Sequence, residues 1–300
     1  MAGSVAVLAN PTAGKGRHRG LLPAIADRLA RDGRAVRLLE AGSAAEAAVA
    51  CQEAVAAGAS ALIAVGGDGT VNLALQAVAG TDTPLGIVPA GTGNDFAACL
   101  DLPADPLAAA GAIATALRDG THRRVDLAHL VGADGTRRWY GAVLGAGFDA
   151  IVNERANAMR WPKGDRRYDL AIFVELIRLR PRPYTIRLDG VPHELDAVLV
   201  AVGNTASYGG GMRICPAADP TDGLLDIVVV GPISRTTLVR IKPRVYAGTH
   251  VAHRKVSTYR ASTVELEAPG ITAYVDGERA CPLPVTVTSR PGALRLLRPS

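Results

Sequence analysis

An apolar run that passes directly into a glycine turn is the feature that most constrains the fold of this chain. Residues 61–75 read ALIAVGGDGTVNLAL. The run predicts a buried strand and the residues after the turn predict a helix. Because glycines leave backbone N–H groups uncovered at the start of that helix, the turn is suited to phosphate. The carboxylate of Asp68 can lie beside a negatively charged phosphate if Mg²⁺ lies between the two, or if Asp68 instead holds a lysine or a ribose hydroxyl. Alternatively, Asp68 caps the helix, as turn aspartates do.

Two further segments repeat this plan. Residues 85–97, LGIVPAGTGNDFA, give a strand, a glycine turn with Thr92, and Asn94 and Asp95 at a helix start. Residues 10–16, NPTAGKG, follow the first strand and supply Lys15. This segment is not a Walker A loop, because the first Gly and the final Ser or Thr of that pattern are missing. Ligands bind beyond the carboxyl ends of parallel strands, so we expect the second turn to make a further phosphate or ribose contact. Lys15 either reaches phosphate or pairs with an acidic loop residue.

The predicted secondary structure changes near residue 128. Before it, strands alternate with helices, which predicts an α/β domain built on a parallel sheet. After it, short β-type runs bounded by Gly, Pro, Asn or Asp predict an antiparallel β-sandwich, with one helical insert near 169–180. The final run ALRLLRP follows Pro291 and Gly292 and returns to the first domain. We therefore expect an α/β domain over 1–128 plus about 291–300, and a β-sandwich domain over 129–290.

Composition narrows the class of partner. The chain of 300 residues is 48% hydrophobic and 20% charged with a net charge of +5, which favours a globular protein with an anionic partner such as a nucleotide or an anionic lipid. Aromatic residues are only 4% and do not alternate with basic ones, so nucleic acid is not an expected partner. Four scattered cysteines indicate reduced thiols, and we expect neither a signal peptide nor a membrane-spanning run. We expect a cytoplasmic protein.

Three acidic loops carry further candidates. The segment DPTDGLLD places Asp219 and Asp222 in a loop before an apolar strand, which suits either a hard cation or a plain acidic turn. The segment AYVDGER places Asp276 and Glu278 where Asp-Gly also marks a β-hairpin turn. Asp126, in VDLA, either faces the nucleotide or pairs with the arginines before it. The residues alone leave these alternatives open.

These motifs, in this order, resemble the diacylglycerol kinase catalytic-domain family, which includes bacterial lipid kinases and sphingosine kinases and shares a superfamily with NAD kinases. The resemblance covers nearly the whole chain. It rests on NPTAGKG, AVGGDGTVN, LGIVPAGTGNDFA, VDLA, YGGGMRICPAADPTDGLLDIVVV and VDGE. GGDGT alone also occurs in NAD kinases and phosphofructokinases, whereas GTGNDFA followed by DGLLD and VDGE is specific.

The resemblance implies ATP and Mg²⁺ as cofactors and an active site in the cleft between the two domains. It implies a structural Mg²⁺ held by Asp219, Asp222 and Leu224. Asp276 becomes the expected general base, assisted by Glu278. In the family a threonine of the loop after the second strand lies beside adenine; this chain has EAGSA there, and Ser43 is a weak substitute. The residues expected to bind the nucleotide or its metal are Asn10, Lys15, Gly66, Gly67, Asp68, Gly69, Thr70, Asn72, Thr92, Asn94, Asp95 and Asp126.

The expected activity is transfer of the γ-phosphate of ATP to a hydroxyl of a lipid such as diacylglycerol, phosphatidylglycerol or a sphingoid base. A soluble nucleotide kinase of the NAD kinase type and a non-catalytic lipid- or nucleotide-binding regulator are the alternatives. Residues 168–182, YDLAIFVELIRLRPR, combine apolar and basic side chains. They either pack on the second domain or contact an anionic membrane, and we expect peripheral membrane association. A homodimer is left open.

Overall fold

The computed structural model describes residues 4–9, 19–159, 170, 174–176 and 178–298. The first part alternates strands and helices, as the sequence predicts. Its strands are β1 (Val5–Ala9), β2 (Val36–Leu39), β3 (Ala61–Gly66) and β4 (Leu85–Pro89). Its helices are α1 (Leu22–Leu29), α2 (Ala44–Ala56), α3 (Asp68–Val78), α4 (Asp95–Cys99) and α5 (Pro106–Asp119). Short 3-10 turns cover Arg19–Leu21 and Arg31–Gly33.

The second part consists mainly of strands. They are β5 (His122–Gly132), β6 (Arg137–Tyr140), β7 (Val143–Gly147), β8 (Arg182–Leu188), β9 (Val191–Ala197), β10 (Leu199–Gly203), β11 (Leu225–Val230), β12 (Val256–Ala261), β13 (Thr263–Glu267), β14 (Thr272–Val275), β15 (Glu278–Pro282) and β16 (Val285–Leu297). Two helices that the sequence did not predict interrupt them, α6 (Phe148–Ala158) and α7 (Arg235–Tyr246), and a 3-10 helix covers Thr249–Ala252. Of the helical insert expected near 169–180, residues 170 and 174–176 are helical, residues 178–180 are described but not helical, and the others lie outside the described residues.

Two sheets organise the described chain. A ten-stranded sheet runs β2-β1-β3-β4-β16-β13-β8-β9, with β5 paired to β16 and β6. Its first four strands are parallel, because helices connect them. A six-stranded antiparallel sheet runs β12-β11-β10-β7-β14-β15 and packs on the antiparallel half of the first. The predicted α/β domain and β-sandwich are therefore confirmed.

The long strand β16 joins the two halves. Its first part pairs with β13, and beyond the irregularity between Arg290 and Leu294 it continues along β5 to Leu296, which pairs in parallel with Leu85 of β4. Because one sheet is continuous across both halves, the exact domain limits stay a prediction. No helix of the described residues is long and apolar enough to cross a bilayer.

Candidate active site

The two glycine turns after β3 and β4 lie directly against each other. A Cβ added at Gly91 would lie 2.4 Å from the Cα of Gly67, which no side chain tolerates. The Gly91 amide donates to Asn94 Oδ1 at 3.0 Å, and Asn94 itself has φ of 59°. These contacts bring the GGDGT and GTGND motifs, predicted from sequence to lie near each other, to one point at the edge of the sheet.

Asp68 connects these two turns. It is the first residue of α3, and its Oδ1 accepts the Phe96 amide of α4 at 3.2 Å. Its other oxygen lies over Gly93, where an added Cβ would come within 2.9 Å. Asp68 thus caps the short helix after the second glycine turn, and the second oxygen remains beside the loop that carries Thr92.

Asp276 brings the second half of the chain to the same place. It is the first residue of a two-residue turn between β14 and β15, with φ of 49° at Asp276 and 83° at Gly277, as a type I′ hairpin requires. Its Oδ2 accepts from Asn72 Nδ2 and from the Gly141 amide, both at 3.1 Å. Its Oδ1 accepts the amides of Ala142 at 2.9 Å and Val143 at 3.2 Å. One carboxylate therefore joins α3, the β6–β7 connection and the hairpin.

Burial and hydrogen bonding act on this carboxylate in opposite directions. Desolvation raises the pKa of Asp276 above its ordinary value, while the amide and Asn72 hydrogen bonds oppose the rise because they favour the charged form. Burial is the larger effect. Asp276 consequently has a higher proton affinity than an ordinary aspartate, although all of its bonding directions are in use.

Asp95 binds a glycine loop of the second half. Its two carboxylate oxygens accept the amides of Gly210 at 2.6 Å and Gly211 at 2.7 Å. The loop is closed by reciprocal backbone bonds between Tyr208 and Met212, and its glycines 209–211 all have positive φ. Such a run of amides forms an anion-binding concavity, which here holds Asp95. Asp95 was predicted as a nucleotide ligand, and in this structure it positions the loop.

A crevice of about 210 Å³ opens between the glycine turns, the hairpin and this glycine loop. The three carboxylates of Asp68, Asp95 and Asp276 face it from both halves of the chain. It is lined by Asp68, Val71, Asn72, Leu75, Thr92, Gly93, Asp95, Phe96, Ala142, Tyr208, Gly209, Gly210, Asp276 and Gly277. The predicted site residues Asp68, Asn72, Thr92, Asp95 and Asp276 are thus brought together.

Other predicted residues lie elsewhere or are used differently. Thr70 is buried over Gly66, where an added Cβ would meet its Oγ1 at 2.3 Å. Glu278 begins β15, is exposed, and does not line the crevice. Ser43 caps α2 by accepting the Glu46 amide at 3.2 Å. Asn10 and Lys15 lie outside the described residues. The nucleotide and catalytic roles given to these residues stay predictions.

Asp126 connects loops away from the crevice. Its oxygens accept the amides of Gly223 and Gly292, each at 2.7 Å. It thereby ties the acidic loop before β11 to the bend in β16. The structure shows no ion pair to the neighbouring arginines within the described chain, and gives its predicted nucleotide contact no support.

The structural Mg²⁺ expected in the acidic loop before β11 stays a prediction, and the carboxylates of that loop make contacts within the protein. Asp222 accepts the Leu224 amide at 2.9 Å and forms an ion pair with Arg260, while Asp219 accepts the amide and hydroxyl of Thr221. Across the described residues, no group of three or more His, Cys, Asp or Glu side chains is arranged to hold a metal ion.

Two contacts that the sequence analysis missed align the halves of the site. Gln76 of α3 donates from Nε2 to the Trp139 carbonyl at 2.7 Å and accepts the Trp139 amide at 2.9 Å. Phe96 packs on Gly141, where an added Cβ would meet its ring at 2.5 Å. The GTGNDFA motif itself carries Phe96, but its partner lies in a segment that no local pattern connects to it.

Comparison with known proteins agrees with this geometry. Residues 4–130 match the family model described as the diacylglycerol kinase catalytic domain, and residues 142–298 match the YegS C-terminal NAD kinase beta sandwich-like domain. A protein named diacylglycerol kinase from Mycobacterium tuberculosis is 46% identical over 299 residues, which cover 99% of this chain and 96% of that protein.

Solved structures show the same fold. One described as a diacylglycerol kinase from Bacillus anthracis str. Sterne has a TM-score of 0.73 at 23% identity, covering 99% of this chain and 97% of that one. One described as an NAD kinase from Archaeoglobus fulgidus in complex with ATP has a TM-score of 0.59 at 14% identity, covering 98% and 93%. The family match, the full-length relative and the crevice between the α/β part and the sandwich agree: this chain belongs to the diacylglycerol kinase catalytic-domain family of lipid kinases.

Proposed function

We propose that this chain transfers the γ-phosphate of ATP, bound with Mg²⁺, to a hydroxyl of diacylglycerol. The observation that carries the proposal is the Asn72–Asp276 hydrogen bond, which joins the helix after the GGDGT turn to the hairpin of the second half across the crevice. The name of the Mycobacterium tuberculosis relative supports diacylglycerol as the acceptor. Phosphoryl transfer needs positioned phosphates and a nearby proton acceptor, and the crevice offers a place for both.

The glycine turns would receive the phosphates. Gly93 and Thr92 are exposed at the crevice, and close backbone approach there is open because neither Gly67 nor Gly91 carries a side chain. Magnesium would bridge phosphate oxygens and neutralise the charge that develops during transfer. Asp68, Asp95 and Asp276 face the crevice, and among their carboxylate oxygens in the described part of the chain only Asp68 Oδ2 accepts no hydrogen bond. This oxygen is suited to contact such an ion through water.

Asp276 would take the proton of the acceptor hydroxyl. Its raised pKa favours proton uptake, but each of its oxygens already accepts two hydrogen bonds. Of the four donors only Asn72 Nδ2 belongs to a side chain, and side chains rotate more easily than backbone amides. We infer that an acceptor hydroxyl replaces Asn72 at Oδ2, so that proton transfer begins with movement of the Asn72 amide.

The test is incubation of the full chain with labelled ATP, Mg²⁺ and diacylglycerol in neutral detergent micelles, with NAD and a fractionated lipid extract as parallel acceptors. We expect labelled phosphatidic acid, lost when a chelator removes the metal and lost in Asp276→Asn. Label in NAD, or in another lipid of the extract but not in diacylglycerol, would overturn the proposed acceptor. Lipid labelling at the full rate after complete metal removal would overturn the role of Mg²⁺.

A further inference from the structure

One stretch of the second half carries basic side chains and no acidic ones. Between Asp226 and Glu265 the sequence has no Asp or Glu but has seven of the 33 Lys and Arg residues. The net charge of the stretch is therefore +7, while the rest of the chain has 26 Lys and Arg against 28 Asp and Glu. The seven are Arg235, Arg240, Lys242, Arg244, Arg254, Lys255 and Arg260. The stretch contains α7, the 3-10 helix Thr249–Ala252 and the edge strand β12.

Helix α7 carries apolar side chains on two sides. Ile241 is buried and anchors the helix to the sandwich, with Val245 half-buried one turn later. A second stripe, spaced four, three and four residues apart, consists of Arg235, Val239, Lys242 and Tyr246. On it Val239 is 55% exposed and Tyr246 is 45% exposed. This second stripe therefore offers apolar groups set between cations to whatever lies outside the protein.

The cations of α7 are not used within the described fold. Arg235, Arg240, Lys242 and Arg244 are all exposed, and none of them has a carboxylate oxygen of a described residue within salt-bridge distance. Among the basic residues of the stretch, Arg260 pairs with Asp222 and Asp226 in the described chain, and it lies near the end of the stretch, outside α7. We call the exposed residues Arg235, Val239, Arg240, Lys242, Arg244 and Tyr246 the α7 surface.

The α7 surface is tied to the loop that lines the crevice. Gly248, just after α7, faces Pro216, since a Cβ added there would lie 3.0 Å from the Cβ of Pro216. His250, which is fully buried, places Nε2 3.0 Å from the Ile214 carbonyl. Both contacts fall a few residues after the glycine loop whose amides bind Asp95. The helix and the crevice wall are thus connected through one packed segment, 208–216.

We propose that the α7 surface docks the protein on a bilayer containing anionic phospholipid. Lipid phosphates attract the cations, and Val239 and Tyr246 enter the interfacial region, as in other basic amphipathic helices. The apolar groups favour a bilayer over nucleic acid, whose phosphate backbone binds cations but offers no apolar layer. The inference rests on the proposed function in one respect: docking beside the segment 208–216 brings the crevice to the surface that holds a lipid acceptor.

The test measures co-sedimentation of the full chain with vesicles of phosphatidylglycerol and phosphatidylcholine in equal parts, without ATP or diacylglycerol. Each Lys or Arg near an anionic bilayer contributes about 1 kcal/mol, so the double variant Arg240→Gln, Lys242→Gln should lower the partition coefficient roughly 30-fold. High salt should weaken binding of the unchanged protein, and pure phosphatidylcholine vesicles should bind little.

Matched control variants distinguish vesicle binding through the α7 surface from a general effect of the protein's charge. Arg31→Gln, Arg37→Gln removes two exposed cations near the opposite edge strand β2, and Val49→Asn removes an equally exposed valine of α2 as a control for Val239→Asn. We expect the controls to bind as the unchanged protein does. Equal losses in control and α7 variants, no binding to the anionic vesicles, or tighter α7-dependent binding to a DNA duplex would each overturn the proposal.

The same assays distinguish this inference from the proposed function. A chain that sediments through α7 but labels no lipid contradicts only the proposed activity. A chain that phosphorylates diacylglycerol in neutral micelles but ignores anionic vesicles contradicts only the docking surface. Melting curves of every variant, compared with the unchanged protein, establish that the loss of binding is not loss of fold.

Discussion

Replacing Asp276 by Asn changes one atom at the point where both halves of the site meet. The amide of an Asn side chain keeps one acceptor oxygen, which can hold the Ala142 and Val143 amides as Oδ1 does now. The NH₂ group then faces two donors, Asn72 Nδ2 and the Gly141 amide. Asn72 can rotate to offer its own oxygen, but the buried Gly141 amide cannot turn and loses its acceptor.

The magnitude follows from that one lost acceptor. A buried donor left without a partner costs about 1 to 3 kcal/mol. The neutral Asn avoids the burial cost that raises the pKa of Asp276, which offsets part of this loss. We therefore expect a net destabilisation of about 1 to 2 kcal/mol, equivalent to a fall in melting temperature of roughly 2 to 8 °C.

The chain contains a matched control in a second Asp-Gly hairpin. Asp189 also has positive φ, 48°, and its Oδ1 accepts the amide and hydroxyl of Ser262 and the Thr263 amide. It is exposed and does not line the crevice, and an Asn side chain keeps an oxygen for these donors, so Asp189→Asn should change stability less than Asp276→Asn does.

Differential scanning calorimetry and the labelled-ATP assay are run on both variants. We expect Asp276→Asn to melt lower and lose lipid phosphorylation, while Asp189→Asn remains close to the unchanged protein in both. An Asp276→Asn protein that melts at the original temperature would refute the hydrogen-bond reasoning. One that turns over at the original rate would remove Asp276 from the reaction.

Three further predictions concern the same crevice. Asp68→Asn should keep the fold, because an amide oxygen still accepts the Phe96 amide, and should lose turnover; circular dichroism and the kinase assay check both. Gly141→Ala should lower stability by about 1 to 3 kcal/mol and reduce activity, because the new methyl meets the Phe96 ring, and calorimetry measures the change. If ionised Asp276 is required, the acid limb of kcat/KM against pH should lie above the ordinary aspartate pKa, because burial raises it.

The same two hairpins also predict opposite effects of pH on stability. Hydrogen bonds from Ser262 and Thr263 lower the pKa of Asp189. Its ionised carboxylate therefore stabilises the fold fully above the unfolded-state pKa, and this stabilisation is lost as pH falls through the folded-state pKa. For Asp276 the folded pKa is the higher one, so the unchanged protein should gain stability relative to Asp276→Asn as pH falls through it. Chemical denaturation at several pH values measures both differences; equal slopes for the two variants would contradict the assignment.

Local sequence patterns predicted the glycine turns and the alternation of strands and helices well, because each depends on neighbouring residues. Asp-Gly at 276–277 forms the hairpin turn that this dipeptide marks, and the same turn carries a carboxylate into the crevice. The contact between Asn72 and Asp276 spans 204 residues. Such a pairing depends on how the sheets pack, which no local pattern specifies.

Helix α7 was missed for a different reason. Pro243 and several β-branched residues lower its helix propensity, so the pattern of the segment was not assigned. A signal was present: Ser234 caps the helix by accepting the Thr237 amide at 3.2 Å, and inward apolar residues follow at helical spacing. For Asp95, the three consecutive glycines 209–211 were the available signal of an amide-lined loop.

The central claim is that the triphosphate and the carboxylates of both halves meet in one crevice. The most direct measurement is a crystal structure of the full chain with Mg²⁺ and a non-hydrolysable ATP analogue. We expect the terminal phosphate to lie between the glycine turns at Gly67 and Gly91 and the hairpin at Asp276, with the metal on the side of Asp68. A triphosphate bound elsewhere, with Asn72 and Asp276 still closed over a vacant crevice, would contradict the account.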